Sequence, residues 1–156
     1  MALKVGNTTI KKVNVIKDGK TTTLKKLYVG DVLVWKAESD PVTIKTSSNQ
    51  GAMGVTTTTT YTLNEDYTNV IFTDYTHPTI YGKVTTTVKI GSNEIHNYTS
   101  EYNGEDQAYS GSRLTKNTSY SIAKGTTITL TLYQERANSV SSSTDEVTAN
   151  LTFYFT

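Results

Sequence analysis

The chain has 156 residues, enough for one domain and a small appendage, and its 35% hydrophobic and 10% aromatic content supports a lean core. Cysteine is absent, which excludes a disulfide framework and thiolate metal sites. The formal charge of +1 hides an asymmetry: residues 1–36 hold eight lysines against two acids (+6), and residues 37–156 hold seven basic residues against twelve acids (−5).

Threonine fills 31 positions and tyrosine 11, against three Phe and one Trp. Both favoured types are strand formers with one polar end, suited to sheets wetted on one face. We read an all-β chain: a small N-terminal meander over 1–36, a linker over 37–41 and an immunoglobulin-like antiparallel sandwich over 42–156. A jelly roll or a small barrel is the alternative.

Four short strands are predicted at the N-terminus. Leu3-Lys4-Val5 is the first, and Gly6-Asn7 turns into Ile10 to Ile16. Lys17-Asp18-Gly19-Lys20 is the strongest hairpin signal, because Asp-Gly tolerates the positive φ angles of a type I′ turn. Leu24 to Val29 follows, and Gly30-Asp31 turns into Val32 to Trp35. Eight residues repeat at a spacing of fourteen: Thr8-Thr9-Ile10-Lys11-Lys12-Val13-Asn14-Val15 and Thr22-Thr23-Leu24-Lys25-Lys26-Leu27-Tyr28-Val29. A meander of this size is marginal alone and should pack on a larger body. Its lysines either meet acidic surroundings or guard the edges of a wet hairpin.

Ala37-Glu38-Ser39-Asp40-Pro41 marks a boundary, where charge changes sign and Pro41 forces Asp40 out of helical geometry. Strands are then predicted at Val42 to Ile44, Val55 to Leu63, Val70 to Phe72, Val84 to Ile90 and Ile95 to Tyr98. Gln50–Gly54 and Asp74–Gly82 are read as loops, and residues 99–118 as a long loop with one short strand near Tyr109. The cleanest period of two runs through Ile128, Leu130 and Leu132, then through Val147, Ala149, Leu151, Phe153 and Phe155. Ser139 to Thr144, between them, is an exposed loop by composition.

Chemistry is sparse. His77 and His96 are the only histidines, and neither has a second ligand at metal spacing. No Gly-x-Ser-x-Gly elbow or phosphate loop occurs. Glu105-Asp106 and Asp145-Glu146 lack a calcium-loop pattern and read as solvated acids. No enzyme, cofactor or metal is expected. Lysines interleaved with threonine, not with base-stacking aromatics, argue against nucleic acid. No stretch nears the roughly 18 apolar residues that span a bilayer. Met1-Ala2-Leu3-Lys4-Val5 has no apolar core of a secretory signal, so none is expected. Exposed tyrosines are the one route to a ligand, by stacking on sugar rings. Tyr75, Tyr81 and Tyr102 are the loop candidates for contact with a host-surface glycan.

The double lysines followed by an aliphatic and Val, and then Tyr28-Val29-Gly30-Asp31-Val32-Leu33-Val34-Trp35, resemble a recurrent start of virion proteins in tailed phages. The resemblance covers residues 3–36. It implies a compact β element at the head of a tail, baseplate or fibre component, ahead of an immunoglobulin-like or receptor-facing domain. Capsid decoration is close behind. On that resemblance the docking residues would be Ile10, Lys11, Lys12, Val13, Leu24, Lys25, Lys26 and Leu27, with Tyr28 and Trp35. The partners would be other virion proteins, with homo-oligomerisation open. The location would be the virion, after synthesis in the host bacterial cytoplasm.

Overall fold

The computed structural model describes residues 4–5, 8–9, 12–49, 54–136 and 146–156. Ile10, Lys11, the Gly6-Asn7 turn, most of the Gln50–Gly54 loop and the Ser139 to Thr144 loop lie outside them. The described residues are all-β. The N-terminal strands are β1 (Lys4–Val5), β2 (Thr8–Thr9), β3 (Val13–Lys17), β4 (Lys20–Leu24), β5 (Lys26–Val29) and β6 (Val32–Lys36). The body holds β7 (Val42–Asn49), β8 (Val55–Thr62), β9 (Asn69–Thr76), β10 (Gly82–Ile90) and β11 (Asn93–Tyr102). It continues with β12 (Gln107–Ser112), β13 (Ser119–Ser121), β14 (Thr127–Arg136) and β15 (Glu146–Phe155).

The body is a sandwich of two antiparallel sheets. One has the order β12-β11-β10-β14-β8, the other β13-β9-β15-β7. The sandwich expected from alternation is present, and its strand order follows the jelly-roll alternative. β7 pairs with the last strand, β8 with the last but one, and β7, β8 and β9 alternate between sheets. An immunoglobulin order would place the first two strands side by side in one sheet. Period-two alternation reports that a strand is half buried and is silent about its partner, so the sequence leaves the order open.

The predicted inward residues of β14 and β15 are all buried. Phe153 meets Phe72 and Phe155 edge-on at 5.7 and 5.5 Å inside the core. Threonines on the outer faces pair across strands, as in Thr85 with Thr99 at 2.8 Å and Thr58 with Thr131 at 3.2 Å. Such cross-strand pairs suit threonine to the outer faces of the sheets. Two strands run longer than alternation indicates: β9 continues to Thr76 and β11 to Tyr102, into segments read as loops. β13 is three polar residues without periodicity, held as a strand by pairing with β9.

The N-terminal meander is instead three separate two-stranded hairpins, β1-β2, β3-β4 and β5-β6. Asp18 and Gly19 have φ of 51° and 74°, the type I′ signature expected of Asp-Gly. At Lys25 the chain leaves the β3 ladder, whose last pair is Val13 with Leu24, and enters the β6 ladder, whose first pair is Lys26 with Lys36. Lys25 C=O accepts from Ala37 N–H at 2.8 Å. The second copy of the eight-residue repeat therefore spans a junction, from β4 to β5.

Candidate functional site

Two regions carry residues singled out by the sequence. The first is the hairpin element. Trp35 is 2% exposed and faces into the chain. Beside it, Lys36 Nζ lies 3.4 Å above the Tyr67 ring and 3.3 Å from Glu65 Oε2, and donates to Asp66 C=O at 3.1 Å. Ser39 N–H donates to Phe155 C=O and Ser39 Oγ accepts from Phe155 N–H, both at 2.9 Å, so segment 37–41 is stitched to the end of β15. Trp35 thus belongs to a seam within the chain, and its ring is not available to a partner. Lys12, Lys25, Lys26 and Tyr28 are exposed, while Val13, Leu24 and Leu27 are half-buried in their own hairpins. Val15, Ile16, Val29, Val32 and Leu33 are exposed as well.

The second region is a polar pocket inside the sandwich. A bulge at Thr73, where β9 slips against Thr152 and Phe153 of β15, reverses the inward phase of β9. Phe72 points inward before it, and Tyr75 packs edge-on against His96 after it, at 4.4 Å. His96 on β11 is fully buried, opposite Val88 on β10 and diagonal to Thr86. His77, just beyond β9, reaches between the sheets. Its Nδ1 lies 2.8 Å from Thr86 Oγ1 and its Nε2 2.8 Å from Ser100 Oγ.

The hydrogen bonds fix one tautomer. Leu114 N–H donates to His96 Nδ1 at 2.8 Å, so the ring proton sits on Nε2 and is given to Thr86 Oγ1 at 3.2 Å. Thr86 has a single proton to return, to the Tyr75 hydroxyl or to His77 Nδ1, and the other of these two donates to it. Burial, reinforced by the charge of Arg113, pushes His77 down to about 4. Burial, then His77 and Arg113, does the same to His96. Burial raises Tyr75 to about 12, against the pull of its bond to Thr86. The cluster is therefore neutral near pH 7. Ser100 is buried, so its contact with His77 presents no nucleophile to solvent. Among the described residues no group of three or more His, Asp or Glu is placed to hold a metal ion.

The tyrosine candidates divide. Tyr81 and Tyr102 meet edge-on at 5.5 Å, and their hydroxyls donate to Asn103 C=O at 2.5 Å and Gly104 C=O at 3.1 Å. They brace the turn between β11 and β12. Tyr75 stands with the histidines and lines an open cleft together with Tyr98, Tyr109 and Arg113. Sequence reasoning missed this gathering of His77, His96 and Arg113. The histidines are nineteen residues apart, and only the bulge and the sheet order bring them together.

No known family's pattern matches the sequence, and no curated protein matches it. A chain in the structure of the infectious bursal disease virus Gx strain is similar at a TM-score of 0.31 and 13% identity, over 96% of this chain and 43% of that one. This chain spans less than half the length of that chain. A likeness of that degree identifies neither family nor function.

Proposed function

We propose that the chain is a non-enzymatic structural component of a virion, docked on the particle through residues 1–36 and displaying the sandwich outward. One observation carries the reading. Among the described residues, six of the seven exposed large apolar side chains lie between positions 15 and 33: Val15, Ile16, Tyr28, Val29, Val32 and Leu33. They share the hairpins with the exposed Lys12, Lys17, Lys20, Lys25 and Lys26. Apolar and basic side chains exposed together on two-stranded ribbons are suited to cover by an acidic, partly apolar neighbour.

The resemblance of residues 3–36 to the head of tailed-phage virion proteins supports the same reading and favours a tail or baseplate position, with capsid decoration second. The jelly-roll strand order adds support by fold-level analogy alone, since shell proteins and lectins both use it. The partners would be other virion proteins or further copies of this chain, and the setting a bacteriophage assembled in the bacterial cytoplasm.

The test uses the labelled full chain and a variant with Lys11, Lys12, Lys25 and Lys26 changed to Glu. Each is sedimented with purified phage particles and, separately, with host cells. The wild type should pellet with particles, and the variant should stay in solution with an unchanged melting temperature. A variant that pellets as the wild type does overturns the docking assignment.

A further inference from the structure

The cleft beside the buried His96 and half-buried His77 has features that folding alone does not account for. Its volume is about 430 Å³, and it opens to solvent between β9, β11 and β12. The Arg113 guanidinium lies 4.3 Å from the Tyr98 ring centre and 5.9 Å from that of Tyr109. Those two rings are nearly parallel, 14° apart in plane and 5.9 Å between centres. One Arg113 N–H donates to the Tyr98 hydroxyl. Among the described residues no carboxylate lies within ion-pair distance of Arg113. Lys116, the other cation lining the cleft, is neutralised by Asp74 at 2.6 Å. A guanidinium held over an aromatic ring keeps its planar fork of donors oriented, the arrangement that grips a carboxylate through two parallel bonds.

The wall beside it is costly in another way. Every residue of β12 is exposed, and Tyr109 is 56% exposed. β12 nevertheless docks closely on β11, because Gly111 (φ +91°) lies where any Cβ would come within 2.1 Å of Asn97 O. Tyr109, two residues before this glycine, keeps its ring exposed next to Arg113. His77, on the cleft floor, has both ring nitrogens occupied by Thr86 and Ser100. Arg113 is thus the one cation in the cleft without an anionic partner among the described residues.

We propose that this cleft binds a saccharide ring bearing a carboxylate. The carboxylate would be held by the Arg113 fork, the apolar face of the ring would lie on Tyr109, and Thr79 at the rim would meet a ring hydroxyl. A basic fork beside an exposed aromatic face matches both halves of an acidic sugar. A bare carboxylate uses only the first half, and a neutral sugar only the second. The inference does not depend on virion docking and is tested on the isolated full chain.

The probes are glucuronate, glucose and acetate, each titrated into the labelled protein while the backbone amide NMR signals of residues 107–116 are followed. Glucuronate should move these signals with a roughly millimolar Kd, at least about tenfold tighter than glucose or acetate. Arg113→Gln should abolish the shifts and Arg113→Lys should weaken them, since Lys keeps the charge and loses the fork. Tyr109→Ala should weaken glucuronate by about fivefold or more and leave acetate unchanged. Silence toward glucuronate overturns the proposal, as does binding that survives Arg113→Gln. Acetate binding as tight as glucuronate overturns the saccharide assignment.

Discussion

Phe72, Phe153 and Phe155 of the sandwich are at most 1% exposed, whereas Ile16, Val29 and Val32 of the hairpins are 74%, 67% and 65% exposed. The residue types are equally apolar, and the difference lies in the layers available. A β-strand hides one face only if a second layer covers it. The sandwich has two sheets facing each other. A two-stranded ribbon has none, so most of its large apolar residues stay exposed, while Val13, Leu24 and Leu27 are half-buried and Trp35 is buried at the seam. One region buries its apolar residues between two sheets, and the other leaves most of them exposed.

The largest test of this contrast is Phe153→Ala, which removes a ring packed against Phe72, Phe155 and Tyr61. It should cost about 3–5 kcal/mol in urea denaturation. A loss below about 1 kcal/mol would mean that the core is not packed as described.

Acid should act on the sandwich through its two neutral histidines. Each sits at about 4 when folded, against an ordinary value of 6.5. Between those values the unfolded chain binds the extra protons. Stability is therefore full above pH 6.5 and falls as pH drops toward 4, by up to about 1.4 kcal/mol per pH unit for each histidine. Urea midpoints across this window should show the slope, and His96→Gln should reduce it by about half. An unchanged slope would remove His96 from the cluster.

Gly111→Ala tests how the edge strand is held. The added methyl meets Asn97 O, and the backbone at φ +91° resists any side chain. A loss of about 1–3 kcal/mol is expected, with β12 amides exchanging faster than those of β10 and β14. Uniform protection would show β12 docking by another route. The smallest effect belongs to the hairpins: Ile16→Ala should shift stability by less than about 0.5 kcal/mol. A larger loss would reveal an intramolecular cover over Ile16.

The all-β class, the Asp-Gly turn and the inward faces of β14 and β15 were legible in the chain, because turn chemistry and period-two burial act over a few residues. The same local logic misjudged the repeat. Two lysine pairs in equivalent patterns read as two strands, whereas Lys25 is a junction whose C=O is taken by Ala37 twelve residues on. The tyrosines were visible as ligand candidates, and their division was not, because Tyr81 and Tyr102 find hydroxyl acceptors only in the folded turn.

Length, alternation and turn residues by themselves determined that this chain would form short antiparallel strands with a lean aromatic core and a basic N-terminal element. The jelly-roll order, the bulge at Thr73, the meeting of His77 with His96 and the placing of Arg113 beside Tyr98 and Tyr109 were decided by tertiary structure alone. The physical reason is range. Each depends on which distant strands share a sheet, and that choice is made by whole faces packing together, not by any stretch of neighbouring residues.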